Sequence, residues 1–147
     1  MSSLGDLEYP VKVIGFDEGN HKNPFPFTCK PLKHIDNTLG FRISIENKII
    51  TYCCDTAVCD NDLDLSRNAD LLIHECAFLP GEKSYWGHTN PESAANLAKT
   101  AGVKKLALTH FGANNYTSLQ ARNASLKEAK KIFPKTIAAK DNLTLHL

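Results

Sequence analysis

The chain has 147 residues, 42% of them hydrophobic and 22% charged, with a formal net charge of +1. That is the length and balance of one globular domain, here taken as residues 1–147, and it argues against disorder. A near-neutral charge gives no electrostatic case for nucleic acid, and no apolar run approaches the ~20 residues that cross a bilayer.

The opening MSSLGDLEYP has neither the basic start nor the apolar core of a signal peptide, so a cytoplasmic location is expected. Cys29, Cys53, Cys54, Cys59 and Cys76 form an odd set without CxxC spacing. They read as reduced thiols rather than a disulfide framework or a tetrahedral cysteine zinc site.

In chain order, YPVKVIGF (9–16) is the first apolar run and is expected to be a strand. The polar DEGNHKNPFP that follows reads as a loop. FTCKPLKHI (27–35) is extended, with Pro31 confining it to an edge or a bulge. FRISI alternates at period two, EN makes a tight turn, and KIITYCC (48–54) is apolar and β-branched, so this pair is expected to be a hairpin. TAVCDNDLDLSRNAD is loop plus a short helix, with Leu63 and Leu65 turned inward. LLI (71–73) is a buried strand running into HEC.

The clearest helix signals lie in HTNPESAANLAKTAG. Either Thr89 and Glu92 form a capping box, or Asn90 caps with Pro91 at the first helical position. Ala94, Leu97, Ala98 and Ala101 share one face, and Gly102 supplies the stop. VKKLALTH (103–110) is a strand, Ser118 to Phe133 a second long helix, and TIAA and LTLHL two short closing strands. Hairpin first and strand–helix alternation afterwards predict an α/β fold, a mixed sheet with helices on one face.

Chemistry collects at the strand ends. KIITYCC runs into Asp55, LLI into His74 and Glu75, and LAL into His110, while His34 closes an extended run. Ligands of open α/β sheets bind beyond the carboxyl ends of the strands. Each residue also has a plain structural role open to it. A histidine closing a strand often serves only as a hydrogen-bonding residue, Asp55 before Thr56 suits an Asx-turn, and His88 suits a solvated loop. Glu75 is harder to dismiss, because a carboxylate after a buried strand must be solvated or paired. His21 and His146 receive no role.

The segments PLKHIDNTLGFRI, IITYCCDT, LLIHECAF, GHTNPESAANLA and VKKLALTHF resemble, in order and spacing, the C-terminal half of the metallo-β-lactamase fold. The likeness is greatest to its ribonuclease Z-related branch of two-metal phosphodiesterases, and it extends over about residues 9–147. It implies half of a four-layer αββα sandwich that holds two metal ions, usually zinc, with manganese as an alternative. Carried over by position, it implies that His34 ligates the first metal, Asp55 bridges both and His110 ligates the second. Glu75 and His88 are then the pair that transfers a proton at the leaving group of a phosphodiester or other ester.

The chain lacks the family's HxHxDH segment, since no two of its histidines stand two residues apart. FGANNY also lacks the arginine expected before the tyrosine of a true ribonuclease Z. The chain alone is therefore expected to bind metal weakly and to be inactive or weakly active, as a truncated or split hydrolase. The inner apolar face of its sheet would then need a partner, a second copy or the missing N-terminal half. RNA is a substrate known to the family but not indicated by charge, and no membrane partner is expected. A non-catalytic half-domain acting in binding or assembly is the second reading, and an unrelated α/β domain with a coincidental histidine cluster the third.

Overall fold

A computed structural model of the chain describes residues 14–83 and 86–147. The period-two FRISI segment and the β-branched run after it form the expected hairpin, β3 (Leu39–Ile45) and β4 (Lys48–Cys53). Glu46 and Asn47 between them take φ of 48° and 63°, the primed two-residue turn whose twist suits the flanking strands. β2 (Phe27–Pro31) pairs antiparallel with β3, and Pro31 stands at its end, where it removes no central ladder bond. β1 (Gly19–His21) adds an outer edge strand inside the loop read as irregular.

From β4 onward the sheet is parallel. β5 (Leu71–Glu75), β6 (Leu106–Thr109) and β7 (Thr136–Ala138) follow in spatial order, each reached through a helix. The connections are α1 (Asp60–Ser66), α2 (Pro91–Ala101) and α3 (Leu119–Ile132). Asn90 caps α2 by accepting the Ser93 amide at 2.8 Å, with Pro91 at N1. Gly102 ends it in the left-handed conformation, φ 69°. The Val103 amide still bonds Ala98 O, which explains why β6 starts at Leu106 rather than at 103.

Two expected strands are corrected or fall outside the described residues. LTLHL alternates as a strand does but finds no strand partner among the described residues, and 143–147 lie as irregular chain with His146 O accepting Lys105 Nζ. Most of the 9–16 run lies outside the described residues, and its described end, 14–16, is not in a strand.

The three helices of the described residues pack on one face. Leu65 of α1, Ala94, Ala95, Leu97, Ala98 and Ala101 of α2, and Ala129 of α3 join Cys53, Leu72, Leu106 and Leu108 of the sheet in one core. The opposite face carries Phe41, Tyr52, Ile73, Ala107 and Ile137 side by side in register, with Ile43 and Ile50 a row below. No helix among the described residues covers this face. Tyr52 is 42% exposed, Ile45 44%, and most of the others are half-buried, an apolar surface rather than a polar outer one. No helix among the described residues is long and apolar enough to cross a membrane.

Strand alternation separates His74 from Glu75. His74 points to the helix side, fully buried, where Nε2 lies 2.9 Å from Asp62 Oδ2 of α1 and Nδ1 2.9 Å from Glu75 O. Both ring nitrogens face acceptors, which favours the imidazolium form paired with the Asp62 carboxylate. Burial works against that charge, but the Asp62 charge and hydrogen bond outweigh it and raise the His74 pKa.

Candidate metal centre

The carboxyl ends of the parallel strands deliver the chemistry. Asp55 lies just past β4, Glu75 ends β5 and His110 follows β6 directly. Asp55 (φ 52°) and His110 (φ 47°) both adopt the left-handed backbone, at about 1 kcal/mol or more apiece for a non-glycine residue. That conformation breaks the strand at each site and turns the side chain beyond the sheet edge. The two meet there, His110 Nε2 at 2.8 Å from Asp55 Oδ1.

His34 arrives from the antiparallel half. The Ala57 amide donates to Lys33 O at 2.9 Å, which ties the segment after β2 to the segment after β4. Gly87, φ 83°, packs so tightly that a Cβ there would stand 2.7 Å from His34 Cα, so only glycine lets this loop bring His88 beside His34. As a result His34, Asp55 and His88 each offer a donor atom, all within 4.8 Å of one another. The His88 ring is 5.0 Å from that of His34 and stacks at 5.8 Å on that of His110.

Glu75 is the buried anchor of this edge, with no exposed side-chain surface. Oε1 accepts the Thr56 amide at 2.6 Å and His88 Nδ1 at 2.8 Å, and Oε2 accepts the amides of Ala77 at 3.2 Å and Thr89 at 3.1 Å. One carboxylate thus holds three chain segments and one imidazole. With Nδ1–H given to Glu75, Nε2 is the ring atom left to bind or carry a proton. Thr89, a candidate cap in the sequence, instead gives its hydroxyl to Thr56 O at 2.6 Å.

Imidazole nitrogens and a carboxylate converging on one point are the donor types that suit a borderline divalent ion such as zinc. The Asp36 amide donates to His34 Nδ1 at 3.2 Å, so a neutral His34 that ligates through Nε2 must give up that bond. The neighbouring thiols do not compete. Burial pushes Cys53 well up and Cys54 to about 11, so both stay protonated at neutral pH. The five cysteines are all unpaired.

The structure therefore brings His34, Asp55, Glu75, His88 and His110 to one edge. His74, adjacent to Glu75, is not among them; it lies on the other face with Asp62. His21 stands apart, bonded to Asp17 O at 2.8 Å and stacked on Phe27. Lys33 and Ser93 line a cleft of about 370 Å3 beside His88, and no spacing in the sequence marks either one.

A family model described as a beta-lactamase superfamily domain matches residues 8–111, a span that contains all five of these residues. Over 112 residues the chain is 43% identical to ribonuclease Z of Sulfolobus acidocaldarius, covering 66% of this chain and 37% of that protein. Over 100 residues it is 40% identical to ribonuclease Z of a Synechococcus strain, covering 65% of this chain and 31% of that one. The chain spans about a third of the length of these curated relatives. Among crystal structures it resembles the metallo-beta-lactamase fold protein YhfI of Bacillus subtilis, with a TM-score of 0.76, 30% identity, and 86% of this chain and 52% of that chain covered. The short form of human tRNase Z gives a TM-score of 0.59 and 25% identity, with 88% and 44% covered.

Proposed function

The chain belongs to the beta-lactamase superfamily, and from that premise we propose that it is the metal-binding, proton-transferring half of a metal-dependent phosphodiester hydrolase. The observation that carries this reading is the convergence of His34, Asp55 and His88 within 4.8 Å, with His110 on Asp55 and Glu75 on His88 at 2.8 Å. In this reading His34, Asp55 and His110 hold metal, with Asp55 central. A bound divalent ion would supply Lewis-acid stabilisation of charge on a phosphoryl oxygen.

The rest of the chemistry belongs to the chain. His88, anchored through Nδ1 to Glu75, gives a proton from Nε2 to the leaving oxygen, and the buried carboxylate stabilises the imidazolium before transfer. Glu75 also orients the ring, since its other bonds fix it to three backbone amides. The present donors do not close two coordination shells. The remaining ligands would come from a segment carrying HxHxDH on a second sheet laid over the apolar face opposite the helices. The ribonuclease Z relatives and the tRNase Z neighbour suggest RNA or another phosphodiester as substrate. FGANNY, with Asn115 before Tyr116, argues against assigning tRNA processing.

The test is hydrolysis of bis(p-nitrophenyl) phosphate with zinc or manganese, by the chain alone and by the chain mixed with a polypeptide bearing the HxHxDH half. The mixture should gain turnover that the chain alone lacks or nearly lacks. Asp55→Ala should abolish it, and His88→Ala should cut the rate by about 100-fold or more with a smaller loss of metal affinity. Stable association without turnover in any mixture would instead favour a binding or assembly role.

A further inference from the structure

Past His110 the carboxyl edge of the sheet continues into a second cleft of about 320 Å3, whose lining includes His110, Phe111, Arg122, Lys140 and Asp141. The Ala139 amide bonds Leu108 O at 2.8 Å, which extends the β6–β7 pairing and carries Lys140 to the edge beside His110. Arg122 comes from the start of α3 and lies with its guanidinium carbon 5.2 Å from the centre of the Phe111 ring. Phe111 is itself set edge-on to buried Tyr116 at 4.9 Å, and the Tyr116 hydroxyl bonds Phe78 O at 2.6 Å. The guanidinium is therefore stacked on a fixed platform, which restrains its plane and leaves its N–H edge for a ligand.

Charge adds a second argument. Lys30, Arg67, Lys104 and Lys131 each contact a carboxylate within the fold, whereas Arg122 and Lys140 form no ion pair among the described residues. The cleft holds two cations against the single carboxylate of Asp141. A concave, solvent-open site with an excess cation and a pre-oriented guanidinium suits the paired oxygens of a phosphate group. Its shared wall with the metal cluster is His110.

We propose that Arg122 and Lys140 form a phosphate subsite beside His110, which takes a phosphate group of the substrate next to the bond being cleaved. This rests on the reading of the neighbouring cluster as a phosphodiester site. The group is either the terminal phosphate of a nucleotide or the flanking phosphate of a nucleic-acid strand.

The test titrates the full chain, stripped of metal by a chelator, with inorganic phosphate, followed by calorimetry. Saturable binding is expected. Arg122→Gln combined with Lys140→Gln should weaken it by about tenfold or more, with Arg122→Lys intermediate. Asp64→Ala, at a surface carboxylate outside the cleft that pairs with Lys30 and Arg67, should leave phosphate binding intact. Adenosine 5′-monophosphate and a dinucleotide, compared under the same conditions, separate a terminal from an internal phosphate. No binding to the wild-type chain, or equal binding by the double variant with an unchanged unfolding midpoint, overturns the subsite. Absence of metal binding alongside intact phosphate binding would refute the hydrolase reading and leave the subsite standing.

Discussion

Glu75→Ala should lower the unfolding free energy by about 4 kcal/mol or more, an effect large for a single substitution. The reason is not the loss of one contact. Removing the carboxylate strands the buried amides of Thr56, Ala77 and Thr89 together with His88 Nδ1, and each buried orphan costs about 1–3 kcal/mol. Glu75→Gln should cost less but still destabilise, because its NH2 must face amide donors where an oxygen now accepts. Urea unfolding of the wild type and both variants checks the order. Equal stability of Glu75→Ala and wild type would mean that Glu75 does not tie the three segments together. His88 offers an independent readout, since losing its anchor should change the ring's tautomer balance and its 15N shifts.

Asp62→Ala should cost about 3–5 kcal/mol, because it leaves the fully buried His74 without its counter-charge. The same pair makes stability depend on pH. The folded His74 pKa lies above its ordinary value of 6.5, because Asp62 more than offsets burial. A raised folded pKa contributes stability that is fully present below the unfolded value and is lost as pH rises through the folded one. Wild-type stability should therefore fall as pH climbs above about 6.5, and Asp62→Asn should flatten that part of the profile. Urea midpoints measured from about pH 6 to about pH 9 test the sign. A wild-type profile that rises with pH over this window, or one that Asp62→Asn leaves unchanged, would contradict the charged pair.

The parts of the fold legible in the sequence are those with local, redundant signals. α2 carries Asn90, Pro91 and Gly102 at its ends and three alanines and one leucine on one face, so cap, period and stop agree. The hairpin is similarly marked by alternation around Glu46–Asn47. β1 was hidden because Gly-Asn-His has no apolar pattern; it exists through backbone pairing with β2. LTLHL has the pattern but lacks a neighbouring strand among the described residues, and alternation alone cannot supply one. Ser125 of α3, a polar residue one turn before Ala129, is buried, because its hydroxyl bonds Tyr116 at 2.8 Å.

The site was legible as residues at strand ends, and less so as roles. Spacing along the chain places Asp55, Glu75 and His110 at one edge, but nothing local tells that the Gly87 turn brings His88 against His34. His74 illustrates the opposite limit. It stands beside Glu75 in sequence, and the pleat sends it to the other face, where it meets an aspartate from a helix rather than the site. Arg122 and Lys140 reach His110 only through the folding of α3 and β7 back along the sheet edge, a contact between segments that no short motif records.

The central claim is that the cluster at the carboxyl edge binds a divalent metal through Asp55. Equilibrium dialysis of the full chain against zinc, with Asp55→Ala and Asp64→Ala as variants, tests it most directly. Asp64 is a control carboxylate on the surface, paired with Lys30 and Arg67. Loss of a supporting residue outside the ligand set typically costs 10–100-fold in affinity, so loss of the central ligand should cost more than about 100-fold. Weak but saturable zinc binding that Asp55→Ala abolishes and Asp64→Ala leaves unchanged is the predicted result; equal binding by wild type and Asp55→Ala would contradict it.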